Sequence, residues 1–437
     1  MRNGRKARMK SMLSDIRQWL AASKNRGMQL GLERIHTVYQ TLFHESFKAT
    51  ILHIAGSNGK GTLCATLASH LDRLGHSTVM FTSPHLIRIE ERIRINGRAM
   101  KSKEFDAFLF KIRETEQSMK TELTFFEITF LVACLCTHHN NVDFFIVETG
   151  LGGRYDATRI LPADIGILTS LSLEHQDVLG DTLAEIASEK AAIARPGKPL
   201  IVREVVDLEA IKAIEFEAKN AGQPKLGEIK QKASLRWVTV PADASVRREA
   251  FLLAEATFRA LNLDTSQLET SIQNLNWPGR WQEIPTEWNR RILFDAAHNP
   301  SGLQKITPLL EDRINEEPSW VLVFGCTPQN DLTTFSKPLI DLCRNKPPEH
   351  IILTKPQFGR YSGVSLSQLR ELNWPSSSTI HECENAAGSK DLLSELHPDF
   401  SIVIGSLYLV GEMYESMGLW GTEHMELFPA KTQRDEL

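Results

Sequence analysis

The chain has 437 residues, a formal net charge of −4 and 24% charged residues, which excludes disordered and fibrous classes of protein. Its length predicts two or three domains, and the mild acidity argues against a dedicated nucleic-acid binder, which normally carries a strongly basic domain. The most apolar stretch, residues 123–136, is interrupted by Glu127. It is shorter than the roughly 20 residues that span a bilayer, so no membrane partner is expected.

The termini and the cysteines give no sign of secretion. Five basic residues and no acid occupy the first ten positions, and no apolar segment follows them, so we interpret this segment as a solvated basic tail. The last four residues, 434–437, resemble an ER-retention signal, a match that we interpret as chance. The six cysteines form no CxxC pair and show no zinc spacing, which favours reduced thiols and a cytoplasmic protein.

In the first half of the chain, apolar segments alternate with amphipathic helices, which is typical of a parallel α/β sheet covered on both faces. A helix with leucines on one face is predicted from Leu63 to a stop at Gly75. The predicted strands cover residues 50–55, 77–82, 143–148, 165–169 and 199–202.

The alternation resumes in the second half after a mixed, polar stretch over residues 203–245. A helix is predicted over 248–261, and the turn-rich segment 276–280 is a candidate hinge. Strands are then predicted at 291–295, 320–325, 350–354 and 401–405, with helices at 302–311 and 332–344. We therefore expect an α/β protein of two domains, 1–280 and 281–437.

The strongest motif is Ala-Gly-Ser-Asn-Gly-Lys-Gly-Thr at residues 55–62, between a predicted strand and a predicted helix. Small residues let backbone N–H groups converge on phosphate oxygens at a helix N-terminus, and Lys60 is expected to reach the β and γ phosphates. The standard pattern has glycine where this chain has Ile54 and Ser or Thr where it has Gly61, so the hydroxyl that usually holds Mg²⁺ is displaced. The residues predicted to bind ATP here are Gly56, Ser57, Asn58, Gly59, Lys60, Gly61 and Thr62.

Residues 56–62 resemble the Gly-Thr-Asn-Gly-Lys-Gly loop of the folylpolyglutamate synthase/dihydrofolate synthase family, within the Mur ligase superfamily. Mur peptidoglycan ligases usually carry a hydroxyl residue directly after the lysine, so Gly61 favours the folate branch. Further family motifs follow in order at residues 31–35, 82–86, 148–158, 189–191 and 295–300. The resemblance implies a P-loop, parallel-sheet, ATPase-like N-terminal domain with a folate site, and a smaller Rossmann-like C-terminal glutamate ligase domain.

Glu148 ends an apolar predicted strand, at the edge where open α/β sheets bind their ligands, and its carboxylate suits Mg²⁺. The alternative is a strand-end glutamate that faces solvent. The resemblance implies that Ser83, His175 and Lys190 complete the ligands of two Mg²⁺ ions, with Ser83 supplying the hydroxyl that the loop lacks. A histidine in a loop is otherwise more often a surface residue, and Glu174 stands where the family usually has Asp.

Lys190 is also singled out by helix periodicity. Thr182 and Glu185 form a predicted capping box, and Lys190 shares the apolar face of that helix with Ile186 and Ile193. Burial would lower the pKa of the amine and make its neutral form available. The alternative is a lysine whose stem runs past the core to solvent. The resemblance implies that CO₂ carbamylates this lysine into a carboxylate-like Mg²⁺ ligand.

The candidate pterin residues are Asp156 and Phe126. A carboxylate accepts adjacent N–H groups of a pterin ring in bidentate fashion, and the resemblance assigns Asp156 to that role and Phe126 to packing on the ring. From its periodicity alone, the segment 124–127 reads as helix core. Arg159 stands where the family usually has Asn.

In the second domain the resemblance assigns Arg280, Asp295 and His298 to ATP. A hinge arginine on the surface and a purely structural helix start at Asn299 are the alternatives. Residues 329–331 read Gln-Asn-Asp where the family often has Asp-Lys-Asp, so one family lysine is missing.

The expected function is ATP-dependent ligation of L-glutamate to dihydropteroate, to the glutamate tail of reduced folates, or to both, through an acyl phosphate. Lys60, His175 and Lys190 are the candidate catalytic residues. Small-molecule substrates and a monomer are expected. Two alternatives stay open: a Mur-type ligase acting on another carboxylate, and a P-loop ATPase that releases phosphate without glutamate.

Overall fold

The computed structural model describes residues 13–27, 29, 31–45, 47–286, 291–358 and 362–428. The basic N-terminal tail and residues 434–437 lie outside these ranges. The chain divides into two compact units. The first contains most of the residues up to 274, and the second contains residues from 275 onward together with two short segments, Leu86–Ile89 and Asp243–Val246.

An eight-stranded sheet organises the first unit. Its strands are β1 (Thr50–Ala55), β2 (Thr78–Phe81), β3 (Ile93–Ile95), β4 (Arg98–Ala99), β5 (Phe144–Glu148), β6 (Ile165–Leu168), β7 (Pro199–Arg203) and β8 (Ser234–Val238). They are ordered β4-β3-β2-β5-β1-β6-β7-β8. All neighbours are parallel except the pairs β2–β3 and β3–β4, which extend one edge as antiparallel strands.

Several helices of the first unit connect parallel strands as crossovers, among them Lys60–Arg73 between β1 and β2 and Leu208–Lys219 between β7 and β8. The longest are Ser102–Met119, Phe125–Asn140, Val246–Ala260, Lys60–Arg73 and Leu208–Lys219. Shorter ones cover residues 13–22, Glu33–Leu42, Gln176–Leu179, Leu183–Ala191 and Leu268–Gln273.

The central strands are apolar because both faces of the sheet are covered. All five residues of β5 and all four of β6 are buried, and β1 is buried after its first residue. Their parallel register places Glu148, at the end of β5, opposite Ile54 of β1. The phosphate loop and Glu148 therefore lie at neighbouring carboxyl ends of the sheet, the edge at which such sheets bind ligands.

A six-stranded sheet organises the second unit. Its strands are β9 (Gln282–Ile284), β10 (Arg291–Asp295), β11 (Val321–Phe324), β12 (His350–Thr354), β13 (Thr379–Cys383) and β14 (Phe400–Ile404). They are ordered β13-β12-β11-β14-β10-β9, and all neighbours are parallel except β10 and β9. The helices are Pro300–Ile314, Leu332–Asn345, Leu366–Arg370, Ala386–Leu396, Leu407–Ser416 and Thr422–Met425.

The predicted α/β class is confirmed, with two sheets in which parallel pairs dominate. The predicted bounds of β1, β10 and β12 coincide with the observed ones, and Asn299 caps its helix by accepting a 2.7 Å hydrogen bond from the Gly302 N–H. The stretch 203–245, for which the mixed and polar sequence predicts no element, contains a helix and β8. No residue of β8 is fully buried, which explains why it lacks an apolar run.

Two further expectations concern the whole described chain. The six cysteines are free thiols, and five of them are buried. Among the residues that the structure places, no helix has the length and apolar character needed to cross a bilayer.

Candidate active site

The phosphate loop is shaped by glycines and supported by the end of β6. Gly56 and Gly59 adopt positive φ angles of 146° and 83°, which L side chains rarely tolerate. A Cβ atom on Gly56 would lie 1.9 Å from the Thr169 Oγ1. That hydroxyl donates a 2.8 Å hydrogen bond to the carbonyl of Asn58. The close contact with Thr169 therefore requires glycine at position 56.

Lys60 begins the helix that follows the loop and folds back over it. Its ammonium group donates to the carbonyl oxygens of Gly56, at 2.9 Å, and Ser57, at 3.3 Å. Gly61 and Thr62 lie in the first helical turn, whose free N–H groups and dipole favour an anion. The arrangement suits a phosphate, because the lysine already lies against the backbone that would surround it.

Lys190 is brought to the same carbonyl from another helix. Its side chain is 2% exposed, and Nζ lies 2.9 Å from the Gly56 oxygen and 2.8 Å from Glu174 Oε1. Burial lowers the pKa of Lys190, the carboxylate of Glu174 opposes that effect, and the charge of Lys60 adds to it. The predicted burial of Lys190 and the capping box of its helix are confirmed.

Glu174 is a site residue that the sequence marked only as a departure from the family's usual Asp and did not predict as part of the site. Burial opposes its ionisation, but the positive charges of Lys190 and Lys60 outweigh this and lower the pKa of Glu174. The carboxylate therefore neutralises part of the positive charge beside the loop. Its position directly before His175 is the one signal in the sequence that could have drawn attention to it.

Glu148 and Ser83 lie together near the loop. Glu148 is 4% exposed at the end of β5, and its Oε2 accepts a 3.0 Å hydrogen bond from the Ser83 N–H. His175 lies on an exposed turn at the start of helix Gln176–Leu179, with a φ of 47°. Within the described ranges no three His, Cys, Asp or Glu side chains are grouped as a metal centre. The oxygen donors of Glu148 and Ser83 fit Mg²⁺, which usually takes one or two carboxylates and fills its shell with phosphate and water.

Phe126 and Asp156 meet at Gly150. A Cβ atom on Gly150 would lie 2.6 Å from the ring of Phe126, so the ring packs directly on this backbone. Asp156 Oδ2 accepts from the N–H groups of Gly150 and Leu151, at 2.8 and 2.9 Å, and Oδ1 accepts from the Thr158 N–H at 3.0 Å. Burial raises the pKa of Asp156, and these hydrogen bonds oppose the rise. The structure thus places an aromatic ring beside a carboxylate, and both carboxylate oxygens already accept hydrogen bonds from the loop.

Arg159 is fully buried and is accommodated by an ion pair. Its guanidinium binds Glu228 through two hydrogen bonds of 3.0 and 2.7 Å and also donates to the carbonyl of Ala192. The departure from the family's usual Asn therefore has a structural explanation at Glu228.

In the second unit, Asp295 joins two loops. Its Oδ2 accepts from the Trp281 N–H at 2.9 Å and its Oδ1 from the Ala297 N–H at 2.8 Å. The first of these loops carries the partly buried Arg280 and the second carries the exposed His298. The three residues assigned to ATP in this unit are therefore neighbours along one carboxyl edge of its sheet.

The segment that lacks the family lysine lies close to His298. Gln329 Nε2 is 3.4 Å from the His298 carbonyl and 3.1 Å from that of Thr327. Asp331 caps helix Leu332–Asn345 by accepting from the N–H groups of Thr333 and Thr334. The segment is thus held by its own hydrogen bonds without the lysine.

Comparison with known proteins identifies the group to which the chain belongs. Residues 54–227 match the family described as Mur ligase middle domain. A dihydrofolate synthase/folylpolyglutamate synthase of Escherichia coli is 33% identical over 316 residues, which cover 67% of this chain and 72% of that protein. A probable dihydrofolate synthetase of Schizosaccharomyces pombe is 28% identical over 424 residues, 90% of this chain and 99% of that protein.

Solved structures extend the similarity to the fold. E. coli FolC in complex with DHPP and ADP has a TM-score of 0.76 and 27% identity, over 92% of this chain and 98% of that one. The bifunctional folylpolyglutamate synthase/dihydrofolate synthase of Yersinia pestis, complexed with AMPPNP and Mn, has a TM-score of 0.75 and 26% identity over the same shares. This chain belongs to the dihydrofolate synthase/folylpolyglutamate synthase family of ATP-dependent ligases.

Proposed function

We propose that this protein uses ATP to add L-glutamate to dihydropteroate, to the glutamate tail of a reduced folate, or to both. One observation carries the proposal. A phosphate loop follows the carboxyl end of β1, and Gly150, which follows the paired strand β5, packs against Phe126 and donates to Asp156. The loop suits the phosphates of ATP, and the cluster of Phe126 and Asp156 suits a flat ring with adjacent N–H donors.

The chemistry is acyl activation followed by amide formation. A carboxylate oxygen of the acceptor attacks the γ-phosphorus of ATP, and the bond from that phosphorus to the β-γ bridging oxygen breaks. ADP departs, and the acceptor becomes an acyl phosphate. The amine of glutamate attacks the acyl carbon, inorganic phosphate departs, and the amine loses a proton. Lys60 exchanges the carbonyls of its own loop for phosphate oxygens and stabilises charge on the transferred group.

Divalent metal ions belong to the proposal. Bound Mg²⁺ would neutralise the negative charge of the phosphates. Glu148, Ser83, His175 and a modified Lys190 are the candidate ligands for two ions. The family complexes with nucleotide and Mn support divalent metal use, and the number of ions and their ligands are proposed here.

Lys190 is proposed to carry the carbamate. The neutral amine attacks the carbon of CO₂ and loses a proton, which converts a cation into an anionic oxygen ligand. Burial lowers the pKa of Lys190 and so favours the neutral amine, whereas the ion pair with Glu174 holds the charged form and must open first.

Isotopically labelled CO₂ tests the carbamate. A carbamate signal should appear in the carbon NMR spectrum of the wild type and should be absent from that of Lys190→Met. The control variant Lys198→Met, which changes an exposed lysine, should keep the signal. Active wild-type enzyme without the signal contradicts this part of the proposal.

The two parts of the chain, residues 1–280 and 281–437, are proposed to have different roles. Residues 1–280 are proposed to bind ATP and the pterin, the latter through Phe126 and Asp156. Residues 281–437 are proposed as the glutamate ligase domain, with Asp295 and His298 contacting ATP together with Arg280. A cytoplasmic monomer is the proposed working form.

A direct assay tests the function. Purified protein is incubated with ATP, Mg²⁺ and glutamate, and with either dihydropteroate or tetrahydrofolate, and both the product mass and phosphate release are measured. We expect phosphate release that depends on glutamate and on at least one pterin acceptor. Full-rate phosphate release without glutamate would support the ATPase alternative. Turnover of a nucleotide-linked peptide carboxylate, with neither pterin accepted, would support the Mur-type alternative.

A further inference from the structure

A fully buried histidine lies behind the candidate pterin carboxylate. His53 is in the middle of β1 and is 0% exposed. Its Nε2 is 2.7 Å from the hydroxyl of Thr158, and that hydroxyl in turn contacts Oδ1 of Asp156. On the other side of the ring, Nδ1 is 3.4 Å from Nη2 of Arg195. Four side chains thus form one continuous hydrogen-bonded line from Arg195 to Asp156.

The direction of each hydrogen bond in this line follows from its chemistry. A carboxylate only accepts, so the hydroxyl hydrogen of Thr158 points to Asp156 Oδ1. The Thr158 oxygen then accepts from the single N–H of the neutral His53 ring, which is on Nε2. Nδ1 carries no hydrogen and faces Arg195, whose guanidinium only donates. Burial, together with the charges of Arg195 and Arg159, holds the pKa of His53 well below its usual range and keeps the ring neutral.

The far end of the line is firmly anchored. Arg195 is 3% exposed and donates to the carbonyls of Leu161, at 3.0 and 2.9 Å, and of Arg159, at 2.9 Å. It also lies 3.6 Å from the carboxylate of Glu228. A guanidinium held by this many acceptors has little freedom to turn, so its positive charge stays beside Nδ1 of His53 and disfavours a hydrogen there.

We propose that His53 is a positioning residue for pterin recognition, acting through the Thr158 hydroxyl to hold and charge-stabilise the carboxylate of Asp156. The inference rests on the proposed function, in which Asp156 binds the pterin ring. The hydroxyl is one of four donors to a buried carboxylate, beside the N–H groups of Gly150, Leu151 and Thr158. A buried carboxylate that loses a donor is less stable as an anion, and its protonated form does not accept two N–H groups side by side.

Matched substitutions test the line. His53→Leu and Thr158→Val remove a polar group at nearly constant volume, whereas His53→Gln and Thr158→Ser keep a donor or hydroxyl. We expect the first two variants to raise the KM for the pterin that the wild type accepts, dihydropteroate or tetrahydrofolate, about tenfold, the value of one hydrogen bond to a charged group. The KM for ATP and the kcat at saturation should stay within about twofold, because the lost interaction concerns pterin binding. His53→Gln and Thr158→Ser should recover most of the affinity.

A double variant separates positioning from independent effects. If His53 acts through the Thr158 hydroxyl, then His53→Leu combined with Thr158→Val should raise the KM no further than Thr158→Val alone. Additive effects would overturn the inference. A rise in the KM values for ATP and dihydropteroate together, with a lowered melting temperature, would show a merely structural role and overturn it too.

Two further outcomes keep the inference and the proposed function distinguishable. If Thr158→Val has the ligase activity of the wild type and an unchanged KM for the pterin, the inference is overturned and the proposed function stands. This variant decides the matter even where His53→Leu does not fold. Wild-type protein that turns over neither dihydropteroate nor tetrahydrofolate overturns the proposed function, and the inference with it.

Discussion

Two lysines share one carbonyl oxygen at the phosphate loop. The ammonium groups of Lys60 and Lys190 each lie 2.9 Å from the Gly56 oxygen, and the carboxylate of Glu174 offsets part of their charge. Such a concentration of positive charge is unfavourable without a counter-ion and favourable once a phosphate arrives. The burial of Lys190 could be predicted from helix periodicity. Its ion pair could not, because a loop between the two residues decides where Glu174 lies.

Replacing Lys60 should separate catalysis from folding. We expect Lys60→Met to lower kcat by about 10²- to 10³-fold, the usual cost of losing one donor to a developing charge. The melting temperature should change little, since Lys60 is partly exposed and its hydrogen bonds to described residues go to carbonyls of its own loop. Steady-state kinetics and thermal unfolding measure the two effects.

The matched control for Lys60 is Lys212→Met. Lys212 lies on an exposed helix face and pairs with Glu209, so its loss should leave kcat unchanged. Ligase activity of Lys60→Met equal to that of this control would contradict the assignment of Lys60.

At the scale of elements, the phosphate loop contains a glycine in close contact with a neighbouring residue, and the helix Lys60–Arg73 is followed by a glycine in open space. Gly56 and Gly75 both have positive φ angles, of 146° and 89°. A Cβ atom on Gly56 would meet Thr169, whereas a Cβ atom on Gly75 would have nothing within 4 Å. The glycine pattern of the loop is visible in the sequence, but the contact with Thr169 arises from the pairing of β1 with β6.

The comparison of Gly56→Ala with Gly75→Ala isolates that contact. Gly75→Ala should cost about 1–2 kcal/mol of unfolding free energy, from backbone strain alone. Gly56→Ala should cost more and should weaken ATP binding at least about tenfold, because the alanine must displace Thr169 or the loop. Urea unfolding and ATP titration measure both effects. Equal losses in the two variants, with ATP affinity kept, would show that the contact has no consequence.

The same helix contains a buried histidine, His70, from which we expect a pH-dependent contribution to stability. His70 Nε2 donates to the Asp264 carbonyl at 2.7 Å, and its Nδ1 lies 3.0 Å from the Ser271 hydroxyl. Burial lowers the pKa of His70 in the folded state. Below about pH 6.5 the unfolded chain therefore binds more protons, and the unfolding free energy falls as pH is lowered, by at most about 1.4 kcal/mol per unit.

Substitution of His70 should reduce this dependence. Urea unfolding at pH values between about 7.5 and about 5.5 should show a shallower loss of stability in His70→Gln than in the wild type. The exposed His44 serves as the control, and His44→Gln should keep the wild-type slope. Identical slopes in all three proteins would contradict the contribution of His70.

At the scale of the whole molecule, each unit has its own sheet and its own buried core. Ile214 belongs to a core cluster of the first unit, and Leu339 belongs to one of the second. The chain passes between the units more than once, because Leu86–Ile89 and Asp243–Val246 group with the second unit. The sequence predicted a single boundary near residue 280 and gave no indication of these two short segments.

Core substitutions should distinguish the units. We expect two calorimetric transitions, one for each unit. Ile214→Ala should lower the unfolding free energy of the first unit, and Leu339→Ala that of the second, each by about 2–5 kcal/mol, since both side chains are fully buried. Each variant should therefore shift one transition to a lower temperature. A single transition lowered by both variants would show instead that the units unfold together and that the two-domain description has no thermodynamic counterpart.

The sequence by itself determined the fold class, the phosphate loop, the family resemblance and the positions of the central strands to within about one residue. These features are encoded locally, since apolar runs, helix periodicity, capping residues and glycines act over a few residues. The tertiary structure decided the partners: Glu174 for Lys190, Ser83 for Glu148, Glu228 for Arg159, and Thr158 for His53. It also decided the edge strands, which are short or half-exposed and gain their structure from a neighbour. Contacts between distant residues depend on how strands align and side chains pack, and no local pattern carries that information.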